Sequence, residues 1–522
     1  MPQHFYIYGP PGSGKSTLGQ ALAGQLGLPF TDLDAAIEQA AGRPVRELFA
    51  AEGEPAFRVR EAEQLRLAVA SAPESVIALG GGALLDPASR TLAEQSGRIL
   101  FLETPPAVLE ARTGAQPGVR PLLTGRGHAA RTPLAELLER RAAHYASFPL
   151  RLDAGHDRLE EKLAQAQIRL GAFRIRGMGR QETDVRVGAG LLDSLGRRLR
   201  AAGWTGASLV VADTNTADPY GQAAVDAIRQ AGVAATLLTI PAGEVHKRLE
   251  TLARLWQGCL EAGIDRGGTV VAVGGGVVGD LAGFAAATWM RGVRWIGVPT
   301  TLLAMVDSSL GGKTAIDLPA GKNLVGAFHP PALVLADTRT LQTLPATERC
   351  CGLAEAVKHG VIADPGLLAA IEALPDNGTA VCSDALVARA MAVKIAVIQQ
   401  DPYEKGIRAA LNLGHTLGHA VELASGFTLR HGEAVAIGLV AEARLAERLG
   451  LAAEPGLSDR LARLLARLGL PVEIPPGLDR EALRRALLLD KKNEAGTIRF
   501  ALPIRIGEIR TRVAVDPAVA IG

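Results

Sequence analysis

Cysteine is scarce: the 522-residue chain has four, Cys259, Cys350, Cys351 and Cys382, with no C-x-x-C pair and two of them adjacent. That pattern supports neither a disulfide framework nor a thiolate zinc site, and a reducing compartment fits it best. Aromatic residues make up only 4%, and the formal net charge is +2 with no run of like charge, which argues against a general nucleic-acid surface. No apolar run approaches the roughly 18 residues of a membrane helix. Met1 leads almost at once into a glycine loop, leaving no room for a basic leader and cleavage site. A soluble cytoplasmic protein without a membrane or nucleic-acid partner is expected.

Hydrophobic residues are 48% of the chain, and its 60 glycines are scattered through patterned segments, as in a globular protein. The length exceeds what one core usually organises. FYIY (5–8), then GPPGSGKST, then LGQALAGQLG reads as strand, loop and amphipathic helix. SVIALGGG, GRILFLE and the helical LAELLERRAAHYASF continue the alternation of a parallel α/β sheet. A second α/β pattern begins after residue 171 with ASLVVADTN, ATLLTIPAG and GTVVAVGGGVVGD, and from about residue 345 longer helices take over. The expected class is α/β: a phosphate-loop domain over 1–170, then 171–522, with a Rossmann-like half over about 171–330 and a mostly helical, metal-binding half over about 331–522.

Residues Gly9 to Thr17 match G-x-x-x-x-G-K-[ST] between a strand and a helix. Backbone N–H groups of Gly12, Ser13, Gly14 and Thr17 can cradle phosphates, Lys15 can reach the terminal ones, and the Ser16 hydroxyl can ligate Mg²⁺. That motif says nucleotide without naming a substrate. Together with Asp32 and Asp34, GEPAFRVRE, Gly80-Gly81-Gly82 and Arg120-Pro-Leu-Leu, residues 1–170 resemble the shikimate kinase family. The resemblance implies transfer of the ATP γ-phosphoryl to shikimate. Asp34 would orient the substrate hydroxyls, Arg58 and Arg141 would clamp its carboxylate, the glycines would let backbone approach the ring, Asp32 would support Mg²⁺, and Arg120 would lie in a lid over ATP. Seen singly, either aspartate can instead cap a helix and Arg58 can be a solvated residue. A related gluconate or adenylate-type kinase competes, and the arginine pair with the triple glycine favours shikimate.

Downstream, Gly274, Gly276 and Gly279 stand in a G-x-G-x-x-G frame after a strand, by itself a weak signal. More specific are DSSLGGKT from Asp307, GKN at 321–323, GLAEAVKH at 352–359, NLGHTLGH at 412–419 and HGE at 431–433. Lysines among glycines make a poor core and a good anion site. Glutamate and two histidines can hold a divalent ion with positions left open. Spacing alone puts His415 and His419 on one helix face as a ligand pair. About residues 172–522 resemble 3-dehydroquinate synthase, which implies instead Glu355, His415 and His431 as ligands of Zn²⁺ or Co²⁺, with His419 on the substrate phosphate.

That resemblance further implies conversion of 3-deoxy-arabino-heptulosonate 7-phosphate to 3-dehydroquinate and phosphate with tightly held NAD. Glu244, Lys247, Gly276, Val277, Val278, Gly279, Asp280, Thr300 and Thr301 would surround NAD, and Lys313 and Lys322 would stand near both cofactor and substrate. Asp307, Arg291, Asn323, Lys358, Lys394, Arg408 and Asn412 match substrate-site positions, and one of Lys491 and Lys492 should reach the substrate. The expectation is a bifunctional enzyme, homodimeric through its second half. Its rivals are a chain whose phosphate-loop half only senses nucleotide or serves as a scaffold, and a phosphate-loop protein acting on nucleic acid.

Overall fold

Alternate residues of the first strand, β1 (His4–Tyr8), face two different cores, as a period of two requires. Phe5 and Ile7 pack with Leu18, Leu22 and Leu26, whereas Tyr6 and Tyr8 pack with Leu33, Phe57 and Phe148. Both faces of the sheet are therefore covered, which suits a parallel sheet of nearly continuous apolar strands. This arrangement comes from a computed structural model that describes residues 3–114, 134–179, 181–319, 321–375, 382–488 and 498–521. The chain divides into two units, Met1–Arg174 and Ile175–Gly522.

In the first unit β1 lies at the centre of five parallel strands with β2 (Phe30–Asp32), β3 (Val76–Ala78), β4 (Gly97–Glu103) and β5 (Arg151–Asp153), in the order β2-β3-β1-β4-β5. The carboxyl ends of β2, β3 and β1 are thus neighbours, where ligands of open α/β sheets bind. The long helix Val45–Ser71 contains Gly53 at φ 80° and Pro55, which break its regularity and re-aim the segment carrying Arg58.

The second unit repeats the two-faced logic. Six of its strands are parallel neighbours in the order β6 (Thr183–Gly188), β11 (Leu333–Asp337), β10 (Arg294–Pro299), β9 (Thr269–Gly274), β7 (Ser208–Asp213) and β8 (Ala235–Ile240). Val270 and Ala272 enter one core, Val271 and Val273 the other. Helices Ala346–Ala363, Asp384–Gln400, His415–Ala424 and His431–Arg448 follow. Two antiparallel hairpins are added to these, Lys313–Leu318 with Gly321–Phe328 and Ile498–Arg505 with Glu508–Val515, the second within the part expected to be mostly helical. No described helix is long and apolar enough to cross a membrane.

Candidate active sites

The loop after β1 turns sharply: Gly9, Gly12 and Gly14 have φ of 152°, 87° and 89°. A Cβ on Gly9 would lie 2.9 Å from the Leu102 carbonyl oxygen, so only glycine fits. Helix Lys15–Leu26 starts from Gly14 without a side-chain cap, which leaves its leading N–H groups for an anion. Ser13 Oγ and Lys15 Nζ donate to the Pro10 carbonyl at 2.9 and 3.0 Å, and Ser16 and Thr17 are exposed in the first turn. Beside the loop, Ser13, Gly14, Thr17, Arg112 and Lys162 line a cleft of about 240 Å³. Burial, and then Arg112, lower the pKa of Lys162. Lone basic residues on helices are common, so neither of these two stands out in the sequence.

Around the triple glycine the close approaches are explicit. A Cβ on Gly80 would lie 2.4 Å from Glu61 Oε1 and 3.0 Å from Asp34 Oδ1; one on Gly82 would lie 2.5 Å from the Arg58 guanidinium. The Gly81 carbonyl accepts from Arg141 at 3.0 Å and from the Tyr145 hydroxyl at 2.8 Å. Asp34, Arg58, Arg141 and Gly80–Gly82 are therefore together. Burial raises the pKa of Asp34, opposed by Lys15. Asp32 accepts from the N–H of Asp34 at 3.1 Å and of Ala35 at 3.3 Å, so one carboxylate oxygen caps helix Leu33–Ala41. Glu61, 3% exposed, bridges to Arg58 at 2.6 Å and orients that guanidinium; its only sequence signal is the i, i+3 spacing in FRVRE. Arg120 lies outside the described residues.

In the second unit Glu355 is wholly buried on helix Ala346–Ala363. Its Oε1 lies 3.3 Å from His415 Nε2 and 3.5 Å from His431 Nε2. One ligand atom from each of these three residues lies within 4.8 Å of the others. His415 Nδ1 sits 3.1 Å from the Leu413 carbonyl, which can only accept, so Nδ1 carries the proton and Nε2 offers its lone pair. Burial opposes the charge on Glu355, but Lys358, bonded to its other oxygen, and His415 hold the carboxyl well below its usual range. His419, one turn on from His415 and exposed, belongs to a second such group with Glu422 and His431. Spacing alone therefore does not choose the ligand pair.

Lys394 Nζ donates to Asp307 Oδ1 at 2.6 Å and to its carbonyl at 2.8 Å, and Lys358 Nζ lies 4.0 Å from the same carboxylate. Burial opposes ionisation of Asp307, and Lys394 and Lys358 overcome it. Distant in sequence from Asp307, Arg408 is buried under Gly311 and hydrogen-bonded to the Pro402 carbonyl. Glu404 joins Lys313 at 2.5 Å and Asn412 at 3.3 Å. Arg291 stands on an exposed turn at φ 69° and makes no ion pair or hydrogen bond among the described residues. Lys491 and Lys492 lie outside the described residues.

The glycine turn after β9 leads into helix Gly276–Thr288, again without a side-chain cap. Its first turns hold Gly276, Val277, Val278, Gly279 and Asp280. A Cβ on Gly275 would meet Thr301 at 3.3 Å, and the Thr300 N–H bonds to the Gly274 carbonyl at 3.0 Å, so the ends of β9 and β10 close on each other. Lys247, 4% exposed, lies 2.5 Å from Asp280 and 4.0 Å from Glu244, and donates to Asn323 at 2.5 Å. Burial raises Asp280 to about 6, with Lys247 opposing. Lys322 pairs with Glu422 at 2.7 Å, and Glu422 stands 3.5 Å from His431 Nδ1. This buried carboxylate links the hairpin that carries Lys322 to His431. Its signal in the sequence is its place two turns after His415 on one helix face.

Burial disfavours the charged form of His431, yet hydrogen bonds to Glu355 and Glu422 outweigh it and push the pKa up to about 9. A raised histidine stabilises the fold fully below its unfolded pKa and loses that contribution as pH climbs through its folded value. Metal-free protein is therefore expected to melt at progressively lower temperature between about pH 6.5 and 9, and His431→Gln should flatten that slope. An equal slope in the variant would refute the assignment.

Comparison with known proteins follows the same division. The shikimate kinase family model matches residues 11–170, the 3-dehydroquinate synthase N-terminal model 237–350 and the C-terminal model 352–493. A 3-dehydroquinate synthase of Symbiobacterium thermophilum is 48% identical over 344 residues, 65% of this chain and 96% of the relative. A 2-deoxy-scyllo-inosose synthase solved with carbaglucose-6-phosphate, NAD⁺ and Co²⁺ is 28% identical and covers 67% of this chain and 98% of its own, at a TM-score of 0.61. A shikimate kinase of Acinetobacter baumannii, solved with shikimate, is 31% identical across 32% of this chain and 90% of its own, at a TM-score of 0.29. The chain is a fusion that belongs through its first unit to the shikimate kinases, which are phosphotransferases, and through its second to the 3-dehydroquinate synthases, which are phosphate-eliminating lyases.

Proposed function

We propose that both halves are active: the first phosphorylates shikimate at its 3-hydroxyl with Mg²⁺ and ATP, and the second converts 3-deoxy-arabino-heptulosonate 7-phosphate to 3-dehydroquinate and phosphate with NAD and Zn²⁺ or Co²⁺. The observation that carries this reading is the convergence of Glu355, His415 and His431 beside the Lys358–Asp307–Lys394 chain.

The residues present fit each group. The uncapped helix at Gly14, with the Ser16 hydroxyl in its first turn, suits phosphates and Mg²⁺, with Asp32 as a further candidate support for the ion. The uncapped helix at Gly276 suits a pyrophosphate. Two imidazoles and a carboxylate suit zinc or cobalt. When bound, NAD supplies reversible hydride transfer and the divalent ion polarises substrate oxygens.

Within the first half, Arg58 and Arg141 clamp the carboxylate of shikimate and Asp34 accepts the proton of the attacking hydroxyl, while Lys15 neutralises charge on the transferred group. Within the second, Lys358, Lys394 and Arg408 hold the substrate's anionic groups, with Asn412, Asn323 and Lys313 around them. His419 holds the departing phosphate, which itself helps to remove the proton. We place the chain in the cytoplasm, in keeping with its four free, buried thiols. It is homodimeric through the second half, where Leu324, Val325 and Phe328 leave 40%, 40% and 52% of their surface exposed; sedimentation of the full chain tests the dimer.

The deciding experiment assays the purified chain for ATP-dependent phosphorylation of shikimate and for phosphate release from the heptulosonate, with and without chelator. Retained ATP binding without phosphorylation would favour a nucleotide-sensing first half. Because Asp34 must be ionised to act and burial raises its pKa, kcat/KM of the kinase should fall with acid from a pH above that of an ordinary aspartate. Asp34→Asn should remove that limb together with about 10²–10⁴-fold of the rate. An acid limb that persists in the variant would assign it to another group.

A further inference from the structure

We propose that Glu442 is a positioning residue for the metal site, its carboxylate clamping the start of helix His415–Ala424 to helix His431–Arg448 and thereby setting His415 against His431. This rests on the metal reading above. His415 and His431 are each the first residue of a helix, so the place of each imidazole depends on where its helix begins. The helix of His415 cannot cap itself: Gly414, at φ 76°, has no side chain, and a Cβ there would lie 2.8 Å from Leu439.

The cap comes from across the helix pair. Glu442, wholly buried three turns along the His431 helix, accepts the Gly414 N–H at 2.5 Å and the Leu417 N–H at 3.1 Å. A carboxylate there also answers the positive end of the helix dipole. The two helices meet backbone to backbone: a Cβ on Gly438 would lie 1.9 Å from the Gly414 carbonyl oxygen, and one on Gly418 2.9 Å from that of Ala434. No side-chain layer lies at these contacts to absorb a shift. Loss of the clamp therefore leaves two buried N–H groups seeking acceptors, and movement of the helix start carries His415 away from Glu355 and His431.

The test uses the full chain. Zinc affinity is measured by competition with a chromophoric chelator, and ligand geometry by the visible absorption of the Co²⁺-loaded protein. Glu442→Gln, an isostere with one acceptor oxygen, is expected to weaken zinc binding about 10-fold or more and to shift the Co²⁺ bands. Leu199→Ala, which opens a cavity in an apolar cluster of the second unit that contains no residue of either helix, should lower the melting temperature and leave both readouts unchanged. Glu442→Asp keeps the charge and serves if the glutamine variant does not fold. Unchanged zinc affinity and Co²⁺ spectrum in a folded Glu442 variant would overturn the proposal, as would loss of the folded synthase unit in both variants, which would make Glu442 a folding residue only. Failure of the parent chain to bind zinc would sink the metal reading itself.

Discussion

Glu355→Gln is expected to reduce phosphate release from the heptulosonate at least about a thousandfold, to strip the chain of its synthase metal, and to leave shikimate phosphorylation intact. The carboxylate is fully buried between His415 and His431 on one oxygen and Lys358 on the other. Neutralising it removes a ligand and strands Lys358, 1% exposed, with a weakened partner. Breaking a buried pair from one side costs about 3–5 kcal/mol, two to four decades in the folded-to-unfolded ratio. Melting of the synthase unit should fall accordingly. The double variant Glu355→Leu with Lys358→Met should recover most of that stability, because two apolar groups replace two charges, and recover none of the activity. Recovery of phosphate release in the double variant, or full metal content in the single one, would break the assignment of Glu355.

Lys15→Ala should produce the mirror image: shikimate phosphorylation falls about 10²–10³-fold, the scale of losing one preorganised donor to developing charge, while phosphate release from the heptulosonate is untouched. Little stability should go with it. Lys15 is only partly buried, its described hydrogen bond is to the Pro10 carbonyl at 3.0 Å, and substitutions at such places usually stay within about 0.5 kcal/mol. A melting curve that matches the parent alongside a lost kinase rate separates chemistry from folding. Simultaneous loss of both activities would mean that the halves do not work independently.

The two sites differ in how far residues announce them. The phosphate loop is legible because its parts lie within nine consecutive residues, Gly9 to Thr17, and each glycine answers a local backbone need. Glu61 and Glu422 are not legible in that way. Each is an ordinary glutamate on a helix until folding buries it against Arg58, or against Lys322 and His431. Arg112 and Lys162 become notable only when helices Pro106–Gly114 and Leu159–Leu170 bring them to one cleft. Asp32 shows the reverse: its motif suggests a metal, and its nearest described partners are the N–H groups it caps.

Taken alone, the sequence determined the chemistry on offer and where along the chain it sits: strand ends followed by glycine, a lysine and hydroxyl after the first, and glutamate and histidines in the helical part. Those are local facts, decided by backbone freedom and side-chain type. Tertiary structure alone decided the company each group keeps. Strand order set β2, β3 and β1 side by side, and close glycine-lined helix packing placed His415 by His431. Such choices belong to the packing of segments far apart in the chain, because burial and its electrostatic consequences depend on neighbours that no local stretch of residues specifies.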